Sequence, residues 1–362
     1  MSIARPSFWR ALLVSLWLVG GVAPADEACR IAFDMGSSGI RAGASNSERT
    51  ARAEIDFLAP LWAGRGFDEL LTPTIAALKE LPAQAGFDPA CPGVGGGFSA
   101  WRLALQQDAG GLVEKLAKIR EATGVAVLVV PPLQEGAYGY VGARALLGER
   151  LRSSHVLDIG GGSLQVAGEQ SSFGEALGQK VWLRHLCHEI RNAETSPCDL
   201  QPLTGDELAI ARALAVEKLL GLAAALPPPV SMTAISRPVS RGVLPAVNRL
   251  AELPADTNVV QRSALSAAIE RIARLGRGET ATLVGSSPSY VAYLLSDMLL
   301  VEALLLATES DSLAVGEIDL TNLPGLLADD RAYRWQAHYG CYLARLGKNG
   351  LAAYASDPDS CP

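Results

Sequence analysis

Two short stretches of this chain carry residue types suited to holding phosphate. The first is Val156-Leu-Asp158-Ile-Gly160-Gly161-Gly162-Ser163-Leu-Gln165-Val166, which reads as a strand, a glycine turn and a second strand. Three consecutive glycines have no Cβ atoms, so backbone N–H groups can converge on an anion at close range. Asp158, where the strand ends, is placed to hold a hydrated cation beside that anion. A near-copy occurs earlier, in Ile31-Ala-Phe33-Asp34-Met35-Gly36-Ser37-Ser38-Gly39-Ile40-Arg41. One Asp-x-Gly loop alone is equally consistent with an ordinary β-hairpin whose glycines take positive φ. Two of them, heading separate segments, point to a duplicated half-site closing on one phosphate chain. Aspartate in an apolar strand also needs a polar reason, because a buried carboxylate needs a partner.

Between the hairpins lies Leu133-Gln134-Glu135-Gly136-Ala137-Tyr138, directly after an apolar run and two prolines. A carboxylate at a strand end that opens a helix is a candidate general base at the carboxyl edge of a sheet. On spacing alone the plainer reading, a helix N-terminal glutamate interacting with the macrodipole, is the favoured one.

The elements that must position these residues can be read in outline. Phe67 to Leu81 has helical spacing, with Pro82 as its stop. The glycines of Gly93-Val-Gly-Gly-Gly97 are not read as a dinucleotide loop: no acidic residue follows at the right distance and the preceding strand is poor. Gly111 to Thr123 is an amphipathic helix closed by Gly124, and Val125 to Val130 is a buried strand stopped by Pro131-Pro132. Thr204 and Glu207 form a capping box before an alanine-rich helix reaching Ala225. Met232 to Ile235 reads as a strand followed by Ser236-Arg237-Pro238, and helical patterns cover Arg262 to Leu275 and Tyr290 to Ala307. The C-terminal stretch, with Trp335, Tyr339, Tyr342 and two cysteines, reads as a stapled helical appendage.

The composition narrows the class. With 362 residues there is ample material for a core, and a formal net charge of −7 argues against nucleic acid and long polyanion tracks. Met1 to Ala25 has a positive start with Arg5 and Arg10, an apolar run and Ala23-Pro24-Ala25, the pattern of a secretory signal peptide. Its removal leaves no stable membrane span, and the expected location is periplasmic or secreted. All six cysteines (Cys29, Cys91, Cys187, Cys198, Cys341, Cys361) follow that site, an even number favouring disulfides. Cys187–Cys198 and Cys341–Cys361 are the local pairs and leave Cys29–Cys91, but connectivity is not fixed by sequence. No C-x-x-C occurs and the four histidines are scattered, so no zinc site is expected.

Asp34-x-Gly36-Ser37-Ser38-Gly39-x-Arg41, Glu135-Gly136 and Asp158-x-Gly160-Gly161-Gly162-Ser163-x-Gln165 together resemble the acetate/sugar kinase–Hsp70–actin superfamily. The resemblance is to its phosphohydrolase branch, which holds the Ppx/GppA exopolyphosphatases and guanosine pentaphosphatases and the apyrases. Ser99-Ala-Trp-Arg102 and the compact length are similar to the former; Gln134-Glu135-Gly136 and Gln165 look more like the latter. The resemblance implies an α/β fold of two ribonuclease-H-like (actin-like ATPase) domains, with mixed sheets flanked by helices and the site in the cleft between them. Residues 26–149 and 150–330 would form the domains and 331–362 the appendage.

It also implies roles. Amides of Gly36, Ser37, Ser38, Gly160, Gly161, Gly162 and Ser163 would bind phosphate oxygens. Asp34 and Asp158 would hold Mg2+ (or Ca2+ or Mn2+) through its waters. Glu135 would deprotonate the attacking water, Ser163 and Gln165 would orient it, and Arg41 and Arg102 would neutralise the phosphate chain. The partner implied is a small phosphate-chain substrate, nucleotide or polyphosphate; the oligomeric state, homodimer included, is open. The leading expectation is an apyrase-like hydrolase of nucleoside tri- and diphosphates. The alternatives are an exopolyphosphatase or guanosine pentaphosphate phosphohydrolase, and a non-catalytic nucleotide- or phosphate-binding module. Three departures stand out. The acidic run before the base is reduced to Glu135, Ser236 to Gly242 lacks the family's Gly-Gly-Thr, and the apyrases' aromatic base clamp has no counterpart.

Overall fold

Apolar alternation builds β1 (Ile31–Met35) and β2 (Gly39–Ala44), and the more exposed β3 (Ser47–Glu54) completes an antiparallel meander. β4 (Gly93–Gly97) and β5 (Ala126–Val129) then add in parallel on the other side of β1, giving the order β3-β2-β1-β4-β5. The computed structural model describes residues 29–194, 197–226, 228–319 and 322–361, so the expected signal peptide, Met1 to Ala25, lies outside the described residues.

The second sheet repeats the plan. β6 (His155–Ile159), β7 (Leu164–Gly168) and β8 (Ser172–Glu175) form the meander. Three strands follow, β9 (Met232–Ala234), β10 (Val259–Gln261) and β11 (Ser312–Val315). β9 lies parallel to β6 and β11 parallel to β9, with β10 antiparallel on the outer edge. Without β10 the two sheets have the same order, three antiparallel strands and then two parallel ones. Helices flank both sheets, and the chain has the two-part mixed α/β architecture expected from its motifs.

The glycine run of β4 is a central strand, a role its low strand propensity hides. Its neighbours supply the missing volume: a Cβ on Gly95 would lie 2.7 Å from Met35 Sδ, and one on Gly97 would lie 2.7 Å from Trp101 Cγ. Three helix limits differ from the sequence reading. Pro82 does not stop its helix, which runs Asp68–Ala85 through both Pro73 and Pro82. Burial of Leu78, Leu81 and Ala85 sustains the last turn, and Gly86 at φ 73 ends it. The alanine-rich helix is two, Gly205–Lys218 and Leu220–Ala225, a break that lets Leu219 and Leu222 both be buried. The last long helix of the second half is Leu294–Ala307, buried on nearly every face.

Three disulfides form, Cys29–Cys91, Cys187–Cys198 and Cys341–Cys361. From Leu323 the chain returns to the first half: Leu323, Leu326, Trp335, Tyr342 and Tyr354 complete the core beneath the first sheet. The outer edge of β5 is covered there. Tyr339 Oη donates to Val127 O at 2.9 Å, and Val129 N–H donates to Tyr342 Oη at 2.7 Å.

The tight packing of β4 gives a stability test. Gly97→Ala forces a methyl against buried Trp101 and is expected to cost about 1–3 kcal/mol. Gly205→Ala, where a Cβ meets nothing within 4 Å, is expected to stay within about 0.5 kcal/mol of wild type. Thermal unfolding of both variants checks the contrast; equal shifts would remove the argument.

Candidate active site

The two hairpins are built in the same register. In the first, Asp34 pairs across the ladder with Arg41; in the second, Asp158 pairs with Gln165. Each loop is closed by its own backbone, Gly36 N–H to Gly39 O at 3.1 Å and Gly160 N–H to Ser163 O at 2.9 Å. Gly39 sits at φ 151, where an added Cβ would lie 2.3 Å from Ala53 O, so the first loop needs glycine there.

The loops also face each other. A Cβ on Gly161 would lie 2.4 Å from Ser37 Oγ, and one on Gly162 would lie 2.6 Å from Ser99 Oγ. The glycines therefore let two backbone turns from different sheets meet without side chains between them. Behind the second loop, Gly178 packs so closely that a Cβ would lie 2.4 Å from Ser163 N. It opens the helix Gln179–Arg191, whose Gln179 and Lys180 N–H groups donate to Gly160 O and Gly161 O at 2.9 and 2.8 Å. Those bonds fix the loop's carbonyls.

Glu135 enters from a third direction. Pro131-Pro132 ends β5 and starts the helix Pro132–Leu147, which puts Glu135 in its first turn and 7% exposed. The carboxylate makes an ion pair with Arg102 at 2.7 Å and accepts from Gln165 Nε2 at 2.9 Å. Ser163 Oγ donates to it at 3.3 Å. Arg102 also donates to Val130 O at 2.9 Å. Its guanidinium thus faces Glu135 instead of the cavity, and Gln165 likewise sits behind the carboxylate, 2% exposed.

A cavity of about 290 Å³ opens where these elements meet. Of the residues singled out in the sequence, Asp34, Gly36, Ser37, Ser38, Arg41, Glu135, Asp158, Gly160, Gly161 and Ser163 line it. Gly162, Gln165 and Arg102 do not. Asp34 and Asp158 reach the cavity yet lie deep in the cleft, and both have pKa values raised to about 7. Desolvation is the main cause, then the charge of Glu135; Asp158 also feels Asp34. Arg41 and a hydrogen bond from Asn322 pull Asp34 back down, and Ser236 does the same for Asp158.

Two buried aspartates on the cavity wall, with Glu135 near them but already paired to Arg102, suit a divalent cation that offsets their charge beside phosphate oxygens. Asp34 and Asp158 are the residues that would hold it. This donor set is all oxygen, which fits Mg2+ and not zinc.

Several lining residues were not legible as site residues. Asn322 arrives from the returning segment to touch Asp34. Ser236 accepts from Ile159 N–H at 2.9 Å and tethers Asp158. Lys180 and Arg52 line the cavity, as does Arg237, which pairs with Asp319 at 2.9 Å. In place of the expected third glycine loop, β9 runs through Ser236 and Arg237 into the helical turn Pro238–Val243. The halves are linked beside the cavity by Lys180–Asp56 at 3.5 Å and by Arg184 over the Trp62 ring at 4.9 Å.

Two mixed sheets of one order, with paired Asp-Gly hairpins meeting in the cleft, define the actin-like two-domain fold. Solved structures agree. The Aquifex aeolicus member of the Ppx/GppA protein family matches with a TM-score of 0.62 at 16% identity, over 83% of this chain and 96% of that one. An exopolyphosphatase from Cytophaga hutchinsonii matches with a TM-score of 0.59 at 14% identity, over 85% and 98%. An exopolyphosphatase-like protein gives 0.60 at 18% identity, over 83% and 96%. At these identities the likeness speaks for the fold. No curated protein matches the chain. The model of the Ppx/GppA phosphatase family matches residues 108–320, more than half the sequence. The chain belongs to the Ppx/GppA phosphatase family.

The carboxylate cluster gives a pH test. An aspartate whose pKa rises from 3.8 unfolded to about 7 folded binds protons more tightly when folded. The stability it contributes is present at low pH and is lost as pH rises through that window. Bound Mg2+ should remove the penalty, so millimolar Mg2+ is expected to raise Tm more at pH 8 than at pH 5. Asp34→Asn with Asp158→Asn should raise the metal-free Tm at pH 8 and erase the Mg2+ increment. Equal increments at both pH values would count against cation binding here.

Proposed function

We propose that this protein is an exported, divalent-cation-dependent phosphoanhydride hydrolase that removes the terminal phosphate from a linear phosphate chain. The observation that carries the reading is Glu135, whose Oε2 is held by Arg102, Gln165 and Ser163 at the place where two glycine loops meet, while Oε1 has only a 3.4 Å contact with Ser163. Phosphoryl transfer passes through a loose transition state, so positioning and charge do most of the work. Loop amides around Gly36 to Ser38 and Gly160 to Ser163 hold the non-bridging oxygens of the terminal group. Glu135 accepts the proton of the attacking water, and Ser163 and Gln165 keep its carboxylate aimed. Arg41, with Arg52 and Lys180 on the same walls, offsets the charge of the chain. Mg2+, when bound by Asp34 and Asp158, would supply further neutralisation of the leaving oxygens. Disulfides at all six cysteines, together with the N-terminal leader pattern, support export.

The cavity walls favour a chain-like phosphate over a nucleotide. Phe98 is the sole aromatic residue among those lining it, and at 1% exposure it offers no stacking face. Family membership supports the same preference, so polyphosphate or guanosine pentaphosphate stands ahead of the apyrase-like substrates. ATP and ADP remain the second reading, supported by Gln165 at 2.9 Å from Glu135, in the position where apyrases carry glutamine.

Phosphate release by the oxidised protein from medium-chain polyphosphate, guanosine pentaphosphate, ATP, ADP and AMP, with Mg2+ or EDTA, tests this. Release from the first two, stopped by EDTA and reduced about 10²–10⁴-fold in Glu135→Gln, is the expected outcome. Release confined to ATP and ADP would promote the second reading. Equal inactivity of wild type and variant, with a phosphate compound still raising Tm, would leave a binding module.

A further inference from the structure

The helix Pro132–Leu147 that carries Glu135 is clamped from two sides. On one, Gly136 lies so near β7 that a Cβ there would meet Ala167 Cβ at 3.1 Å. On the other, Gly325 of the returning segment presses on the helix: a Cβ there would lie 2.5 Å from Tyr138 Cα. Tyr138 follows Glu135 by about one helical turn. It is 2% exposed, and its hydroxyl donates to Asp329 Oδ2 at 2.6 Å. Tyr354, also 2% exposed, donates to the same oxygen at 2.9 Å, and the two hydroxyls touch. The other Asp329 oxygen accepts Arg331 N–H at 2.9 Å and caps the helix Asp330–Ala337. Burial and the neighbouring carboxylate push both phenols far above their usual range, so both remain protonated donors.

Two phenylalanines could fill this volume without desolvating a carboxylate. Apolar packing is non-directional and resists sliding of the helix weakly, whereas a hydroxyl held by a carboxylate fixes both slide and rotation. The neighbouring Asn322, at the start of the same returning segment, bonds Asp34 and lies 3.9 Å from where a Cβ on Gly139 would be. One segment therefore reaches the elements of two of the three site carboxylates.

We propose that Tyr138, Asp329 and Tyr354 form a positioning device for Glu135, which makes the disulfide-stapled C-terminal segment part of the support of the active site. It rests on the reading of Glu135 as the base of a phosphohydrolase.

The test compares Tyr138→Phe, Tyr354→Phe, Asp329→Ala and Asp329→Asn in the oxidised full-length protein, at a temperature well below every Tm. With the best substrate of the phosphate panel, Tyr138→Phe and Asp329→Ala are each expected to lower kcat about tenfold with KM within about twofold. Asp329→Asn, which keeps an acceptor for the hydroxyls, should retain most of kcat. The double variant Tyr138→Phe with Asp329→Ala should lose no more than either single one, because the groups act as a unit. Lowered Tm with unchanged kcat in all of them would overturn the proposal and leave a purely structural network. Hydrogen exchange supplies a readout independent of turnover: peptides within 132–147 should exchange faster in Tyr138→Phe, while those within 262–273 are unchanged. If wild type releases no phosphate the hydrolase reading fails, and unchanged exchange within 132–147 then rejects the positioning device separately.

Discussion

Three carboxylates held in one desolvated cleft repel each other and have lost much of their water, and the rest of the structure is arranged around that cost. Asp34 and Asp158 lie near the ends of strands of different sheets, and Glu135 sits in the first turn of a helix that packs on the second sheet. Each has its own tether: Arg41 and Asn322 for Asp34, Ser236 for Asp158, and Arg102, Gln165 and Ser163 for Glu135. The tethers offset only part of this, so desolvation first, and the charge of Glu135 second, leave two of the acids with pKa values raised to about 7. In the proposed function, a cation and a phosphate chain would enter such a cleft together, since each would offset the charge of the other.

The duplication of the hairpins is exact in register but divided in use. The residue opposite the aspartate is Arg41 in the first half and Gln165 in the second. Arg41 reaches the cavity, where a phosphate chain would lie, whereas Gln165 turns inward to Glu135. One hairpin thus presents a positive charge to the cavity and the other holds the Glu135 carboxylate. The acidic Asp297 shows the same economy behind the second loop: buried on the helix Leu294–Ala307, raised to about 8 by desolvation, it accepts from Gln179 at the start of the helix that backs the glycines.

Much of this was legible in the sequence where the signal is local. An Asp-x-Gly turn between strands keeps its period and its chemistry within about a dozen residues, so both hairpins and the capping box of Thr204 and Glu207 could be read directly, whereas Glu135 was favoured as a base only through the family resemblance. The family resemblance singled out Arg102 as a neutraliser of the phosphate chain, but the fold turns its guanidinium to Glu135 instead of the cavity. What was hidden depends on distant neighbours. Gly93–Gly97 is a central strand because Met35, Trp101 and Val127 fill the space its side chains would need. Asn322 and Gly178 reach the site only after long excursions of the chain, and nothing in their own surroundings marks them; Ser236 stands where the family's third loop was expected, but its bond to Asp158 was not legible. Pro82 misled because a stop signal is a local preference, and burial of the flanking leucines overrode it.

The covering of β5 by Tyr339 and Tyr342 bears on the order in which the molecule can be made. A chain that emerges from its N-terminus has the five strands of the first sheet available early, yet the groups that close the edge of that sheet are among the last to arrive. Until then β5 offers unpaired backbone groups to any passing strand. The core of the second half runs from Leu157 to Leu313, without residues from the C-terminal segment. The edge of the first sheet is therefore closed by groups that lie more than two hundred residues further along the chain.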